Sequence, residues 1–238
     1  MNNSIILEIR AGTGGDEAGL FATDLLRMYT KFCQRMGLRL EELDRTEGGL
    51  GNIKTVVARI TGDKAKQFFA KESGVHRVQR VPKTEKSGRV HTSTTTVAIL
   101  PEVEDNQVQI SGDEIEFEAF RASGHGGQNV NKVSTAVRIR HKPSGIVVTS
   151  QAERSQFQNR ELAMKILKAK LARLEAERQQ NTIAGMRREQ VGTAQRPEKI
   201  RTYNFPQSRV TDHRIGKSWH NLENVLDGKL EPIIELTG

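Results

Sequence analysis

A block of mixed patterning in the middle of the chain restricts its fold more than any other feature. Ile115, Phe117 and Ala119 alternate with acidic residues, the period of a half-buried strand. Ala136 to Arg140 and Ile146 to Ser150 then read as a hairpin around Lys142-Pro143-Ser144-Gly145, which has turn chemistry. The longest helical pattern follows, over roughly 159–180, with Leu162, Ile166, Leu167, Leu171 and Leu174 as its apolar stripe and Lys and Arg outside. This hairpin-plus-helix unit stands between stretches that carry patterns of their own. It predicts a small domain inserted into, or flanking, a larger one.

The flanking stretches are mixed as well. Ile5 to Arg10 predicts a short strand, and AGTGGDEAG (Ala11 to Gly19) a turn. Leu20, Phe21, Leu25, Met28 and Phe32 then predict a helix to about Arg35, with Asp16 and Glu17 in the first turn, where the helix dipole favours acids. The glycines there lack the lysine and hydroxyl ending of a phosphate-binding loop, which argues against nucleotide binding. Val56 to Ile60, Thr94 to Leu100 and Gln107 to Ile110 predict strands, and Asp63 to Glu72 a short helix. Asn181 to Lys199 is polar and predicts a mobile connector, after which Tyr203 to Pro232 resumes compact patterning. Strands and helices alternate too irregularly for a doubly wound sheet, so the expected class is α+β with a mixed sheet.

Charge gives the first hint of a partner. Residues 121–200 hold 16 Lys+Arg against 6 Asp+Glu, while the rest of the chain holds 21 against 23. All the excess positive charge behind the net +8 lies in the middle block, which points to a polyanion such as nucleic acid. No run approaches the ~18 apolar residues of a membrane span. The N-terminus has no basic-then-apolar secretory pattern, and Cys33 is the only cysteine. A cytoplasmic setting without disulfides is expected.

Within the basic block lies RASGHGGQNV, residues 121–130. Consecutive glycines permit positive φ and a close backbone approach, and successive N–H groups in such a turn can face an anion. Gln128 supplies a donor and an acceptor but no titrating proton. A catalyst built this way would aim backbone N–H groups at developing negative charge and place a water. No Ser-His-Asp order, carboxylate pair or metal-spaced His/Cys cluster stands out, so neither a metal nor a cofactor is expected.

The run RASGHGGQNVNKVSTAVRIRH closely resembles the GGQ signature of the bacterial-type class I peptide chain release factors. LEIRAGTGGDEA, GVHRVQRVP, GRVHTS and RTYNFPQSRVTDHRI resemble further segments of that family, in its order. The resemblance implies translation termination, with Gly126, Gly127 and Gln128 triggering hydrolysis of P-site peptidyl-tRNA in the ribosomal centre. In that reading the backbone N–H of Gln128 acts on the ester, and proton handling falls to ribosomal RNA and the tRNA ribose. The chain would be a ribosome-dependent factor rather than a stand-alone enzyme. Gln128 would also be an N5-methylation target for a release-factor glutamine methyltransferase.

Val81-Pro82-Lys83-Thr84 resembles the Pro-x-Thr tripeptide of the factor-one type, which accepts UAA and UAG. By the resemblance, Pro82 and Thr84 belong to the codon-reading tripeptide, and Thr84 bonds the second base. His91 stacks on the second base and splits it from the third, which Gln79 and Thr92 contact. Gly14 and Glu17 meet the invariant uridine. Single-stranded bases can be splayed, stacked on an imidazole and bonded at their edges in this way.

The family implies a monomer whose partners are the ribosome, meaning ribosomal RNA, the stop codon in mRNA and peptidyl-tRNA, together with a GTPase recycling factor. The expected organisation is a stop-codon domain over 1–110, a GGQ domain over 111–189, a switch connector over 190–204, and a C-terminal segment, 205–238, packed on the first domain. His125 and Asn129 depart from the residues usual beside the motif. The chain starts almost at the LEIRAGTGGDEA segment, without the helical domain usually found in front of it. A codon-independent rescue hydrolase of the same superfamily is the alternative. The retained Pro-x-Thr block and the acidic, apolar end rank it second.

Overall fold

The computed structural model describes residues 3–82, 88–102, 110–121 and 133–237. These fall into two compact units. One comprises residues 1–103 and 183–238, and the other residues 104–182. In chain order the second is inserted within the first, and the class is α+β. The units divide at 103/104 and 182/183, whereas the sequence suggested 110/111 and 189/190.

The first unit is built on an eight-stranded sheet. Its strands are β1 (Ser4–Ala11), β2 (Arg39–Glu47), β3 (Ile53–Thr61), β4 (Gly74–Arg80), β5 (His91–Pro101), β9 (Lys199–Asn204), β10 (Arg209–Asp212) and β11 (Lys217–His220). Their lateral order is β11-β10-β9-β4-β5-β1-β3-β2. Among the described strands, only β4 and β9 pair in parallel. Period-2 alternation sets the faces. Ile5, Leu7 and Ile9 of β1 point to the buried side, and Ile6, Glu8 and Arg10 to the other. On the buried side packs α1 (Asp16–Arg35), whose Phe21, Leu25, Met28, Tyr29 and Phe32 are all fully or nearly fully buried. Short helices α2 (Ala65–Phe69), α4 (Leu222–Leu226) and α5 (Glu231–Thr237) complete this layer through Phe69, Leu226 and Ile233. Each such side chain contributes about 1.5–3 kcal/mol by leaving water.

The second unit pairs the sheet β6 (Ile115–Phe120), β7 (Ala136–His141) and β8 (Val147–Ser150) with the part of the long helix α3 (Gln156–Val191) up to residue 182. Ala163, Leu167 and Leu171, four residues apart, face Val137, Ile139 and Val148. The fully buried Asn159 fixes the start of the helix. Its Oδ1 accepts from Ser150 Oγ and Glu153 N, both at 3.0 Å, and its Nδ2 donates to Thr135 O at 2.9 Å.

The polar stretch after 180 differs from expectation. Helix α3 runs on to Val191, because Ala, Arg, Glu, Gln and Met are good helix formers even without a core stripe. Its last turns, which belong to the first unit, are anchored by polar contacts. Arg187 Nη2 donates to Glu8 Oε2 at 2.7 Å. Gln190 bonds both the N–H and the C=O of Ile99, each at 2.8 Å. Gly192, at φ +53°, ends the helix. The span expected as a connector, 190–204, also contains β9, a sheet strand between β4 and β10.

Under the sheet lies a buried ionic cluster. Arg201 is fully buried and donates from Nη1 and Nη2 to the two oxygens of Glu72, both at 2.8 Å. It also reaches Asp212 Oδ2 at 3.2 Å, which Arg214 Nη2 contacts at 2.6 Å. Tyr29 Oη donates to Glu72 Oε2 at 2.9 Å. Burial alone would raise the Glu72 carboxyl, but the Arg201 guanidinium outweighs it and holds the group below its usual range. Next to it, His76 faces the Glu72 carbonyl at 3.0 Å through Nε2 and Tyr203 Oη at 3.2 Å through Nδ1. A carbonyl can only accept, so Nε2 carries a hydrogen.

Burial, helped by Arg201, pushes His76 down to about 4 from its ordinary 6.5. Between those pH values the unfolded chain binds a proton that the folded chain refuses. The contribution to stability is therefore complete above about pH 6.5 and declines as pH falls towards 4, by about 3 kcal/mol. His76→Gln keeps a donor for the carbonyl and should remove most of that slope. Urea melts between pH 4 and 7 that give the same slope for both proteins would place the titration elsewhere.

Candidate functional site

The β4–β5 hairpin places most of the codon-reading candidates. Arg80 pairs with His91 and Gln79 with Thr92, so the hairpin connection spans residues 81–90. Pro82 is buried at its start, whereas Val81 and Val90 are exposed. Thr84 lies outside the described residues.

Neighbouring strand residues point to opposite faces, which divides the set in two. Arg80 and His91 share the face that α1 covers. Gln79 and Thr92 share the other, joined there by Asn204, which is opposite Gln79 on β9. Asn204 Nδ2 donates to Gln79 Oε1 at 3.3 Å.

Gly14, in the turn before α1, and Glu17, in its first turn, reach the same end of the sheet. The turn before that helix extends the pairing of β5. Gly12 N donates to Thr94 O at 2.9 Å, and Thr94 N to Thr13 O at 2.8 Å. Gly14 lies against Ser93 at φ +134°, and a Cβ there would overlap the Ser93 side chain. Only glycine suits both the angle and the contact. Through this approach Gly14 comes next to the strand that carries His91 and Thr92.

Glu17 sits in the first turn of α1 with its side chain turned into the protein. Its side chain is 6% exposed and takes Arg80 Nε on Oε1. Arg80 also donates from Nη1 to Asp24 Oδ2 at 2.6 Å and stacks over Phe205, with Cζ 4.9 Å from the ring centre. Burial works against the charged Arg80, but its hydrogen bonds to Asp24 and Glu17 win and hold its pKa above the ordinary value. The Glu17 carboxylate is thus committed inward. The backbone N–H of Glu17 lies in the first turn of α1, where no preceding helical carbonyl takes it.

Gly126, Gly127 and Gln128 lie outside the described residues, as do the neighbouring His125 and Asn129. Phe120 at the end of β6 pairs with Ala136 at the start of β7. Thr135, just before β7, is held by Asn159. Around this sheet Arg138 stacks on Phe120 and Arg160 on Phe117, at 5.3 and 5.1 Å.

Sequence reasoning missed Arg80, Asp24, Phe205 and Asn204. Their partners are 56 to 125 positions away in the chain, and only the fold brings them together. Among the described residues, no group of three or more His, Cys, Asp or Glu could hold a metal ion, and no helix is long and apolar enough to cross a membrane.

Comparison with known proteins adds the family. Residues 1–97 match the PCRF domain and residues 102–214 the RF-1 domain. Peptide chain release factor 1 of Anaeromyxobacter sp. (strain Fw109-5) is 54% identical over 231 residues, 97% of this chain and 62% of that protein. The Aquifex aeolicus protein of the same name is 57% identical over 232 residues, 98% of this chain and 64% of its own length. The Thermotoga maritima one is 54% identical over 233 residues, covering 98% and 68%. A solved structure, RF2 of Thermus thermophilus, is similar with a TM-score of 0.57 and 41% identity over 98% of this chain and 66% of that one. The chain spans about two thirds of the length of the relatives it matches.

Proposed function

This chain belongs to the class I peptide chain release factor family, and on that premise we propose that it terminates translation at UAA and UAG. The observation that carries the reading is the division of the candidates across β5. Gly14, the first-turn N–H of Glu17 and His91 stand on one side of the strand, and Gln79 and Thr92 on the other. A single-stranded triplet laid over the hairpin tip would have its first two bases on the His91 side and its third base on the Gln79 side. An imidazole at the strand edge can stack on the second base and part it from the third. Thr84, in the same connection, would bond the second base.

The second unit supplies hydrolysis. Water attacks the ester carbonyl carbon of peptidyl-tRNA, the C–O bond to the ribose breaks, and the peptide leaves as a carboxylate. The main-chain N–H of Gln128 would stabilise the oxyanion that forms, with Gly126 and Gly127 allowing that placement. Ribosomal RNA and the ribose hydroxyl would move the proton. The basic middle block, with 16 Lys+Arg against 6 Asp+Glu, suits a pocket of nucleic-acid backbone. The partners in this reading are the ribosome, a methyltransferase acting on Gln128, and a GTPase recycling factor, all in the cytoplasm.

The test is peptide release from ribosomes carrying UAA, UAG, UGA or an empty A site. Release at UAA and UAG alone is the expected result. Equal release at the empty site would make the chain a rescue factor, and release at none would end the proposal.

A further inference from the structure

We propose that Asn204 is a positioning residue that sets the hydrogen-bonding polarity of Gln79 and so biases which purine is accepted at the third codon position. The inference rests on the proposed codon reading and adds to it a residue to which the sequence analysis gave no role. The argument starts from the main chain. Asn204 Oδ1 accepts from Gln207 N at 3.0 Å. A backbone N–H can only donate, so the amide atom facing it must be the oxygen. Nδ2 is then left for Gln79 Oε1 and Gln207 Oε1, both at 3.3 Å. A donor at that point requires an acceptor, so Gln79 turns its oxygen inward and its amino group away from Asn204.

The arrangement is held by main-chain bonds. Phe205 N donates to Gln79 O and Ser208 N to Phe205 O, each at 3.0 Å, which pins the β9–β10 turn beside β4. Thr92 is the cross-strand partner of Gln79 on the same face. Its hydroxyl rotates and can serve as donor or acceptor.

Adenine and guanine share the N7 acceptor and differ at carbon 6, where adenine carries an amino donor and guanine a carbonyl acceptor. An outward amino group on Gln79 suits N7 of either base and the guanine carbonyl, but it opposes the adenine amino group. Both purines are therefore accepted, with a tilt towards guanine.

Asn204→Asp keeps the acceptor for Gln207 N and removes the donor to Gln79. Gln79 should then turn its amino group to the new carboxylate and present its oxygen outward, the polarity that adenine matches. In release assays with the 238-residue chain, the ratio of kcat/KM at UAG to that at UAA should fall about tenfold relative to the parent. Asn204→Ala, which frees the amide without reversing it, should move the ratio the same way by about threefold. If the aspartate variant does not fold, the alanine variant decides by the same ratio. Equal slowing at both codons would reduce Asn204 to a packing residue and overturn the inference while leaving codon reading intact. A parent chain inactive at both codons would overturn the functional reading and this inference together.

Discussion

Arg201→Met will cost about 3–5 kcal/mol of folding stability, the range for removing one partner of a buried ion pair. Arg201 has no exposed surface and bridges Glu72, just after α2, to Asp212 on β10. Asp212 keeps Arg214 when the guanidinium is removed, but Glu72 keeps only neutral partners such as Tyr29. A carboxylate in that position must take up a proton or open the layer to water. Glu72→Gln placed in the Arg201→Met background should recover part of the loss, since a neutral amide can still accept from Tyr29. Urea denaturation of the single and double variants measures both. A single-variant loss under about 1 kcal/mol would mean that apolar packing alone holds α2 and β10 against the sheet.

The second large effect concerns release. Gly126→Ala and Gly127→Ala should each slow peptide release about a hundredfold or more, the scale of losing one oxyanion donor. Gln128→Ala should cost less than about tenfold, because its main-chain N–H survives the change. Single-turnover release at saturating factor separates this from weaker ribosome binding. Equal losses in all three variants would give the glutamine side chain the central role and count against main-chain catalysis.

The parts of the fold that follow simple periods were legible in the sequence. The stripe Leu20, Phe21, Leu25, Met28 and Phe32 gives α1, and the alternation of Val137 and Ile139 gives β7. Strands β4 and β9 were harder to see, because His76 and Arg201 occupy core positions. Their polarity is neutralised by Glu72, Asp212 and Tyr203, and a pattern of apolar residues cannot register that. Helix α3 outran its stripe for a related reason. Beyond residue 180 it is fastened by Arg187 and Gln190 rather than by apolar side chains. At the candidate site, the family resemblance pointed to Gly14, Gln79, His91 and Thr92. Their division between two faces depends on strand register, and the inward turn of the Glu17 carboxylate on Arg80, 63 positions away.

The parallel neighbours β4 and β9 impose an order on biogenesis. Everything from β1 to β5 can pair as the nascent chain emerges, but one margin of β4 stays open until residues past 199 exist. At ~5–20 residues per second, that interval is on the order of ten seconds. Throughout it, Glu72 lacks the Arg201 guanidinium to neutralise it and an unsatisfied strand edge faces water. Closure of the sheet is therefore a late, long-range event, in which the tail of the polypeptide seals a gap left by its head.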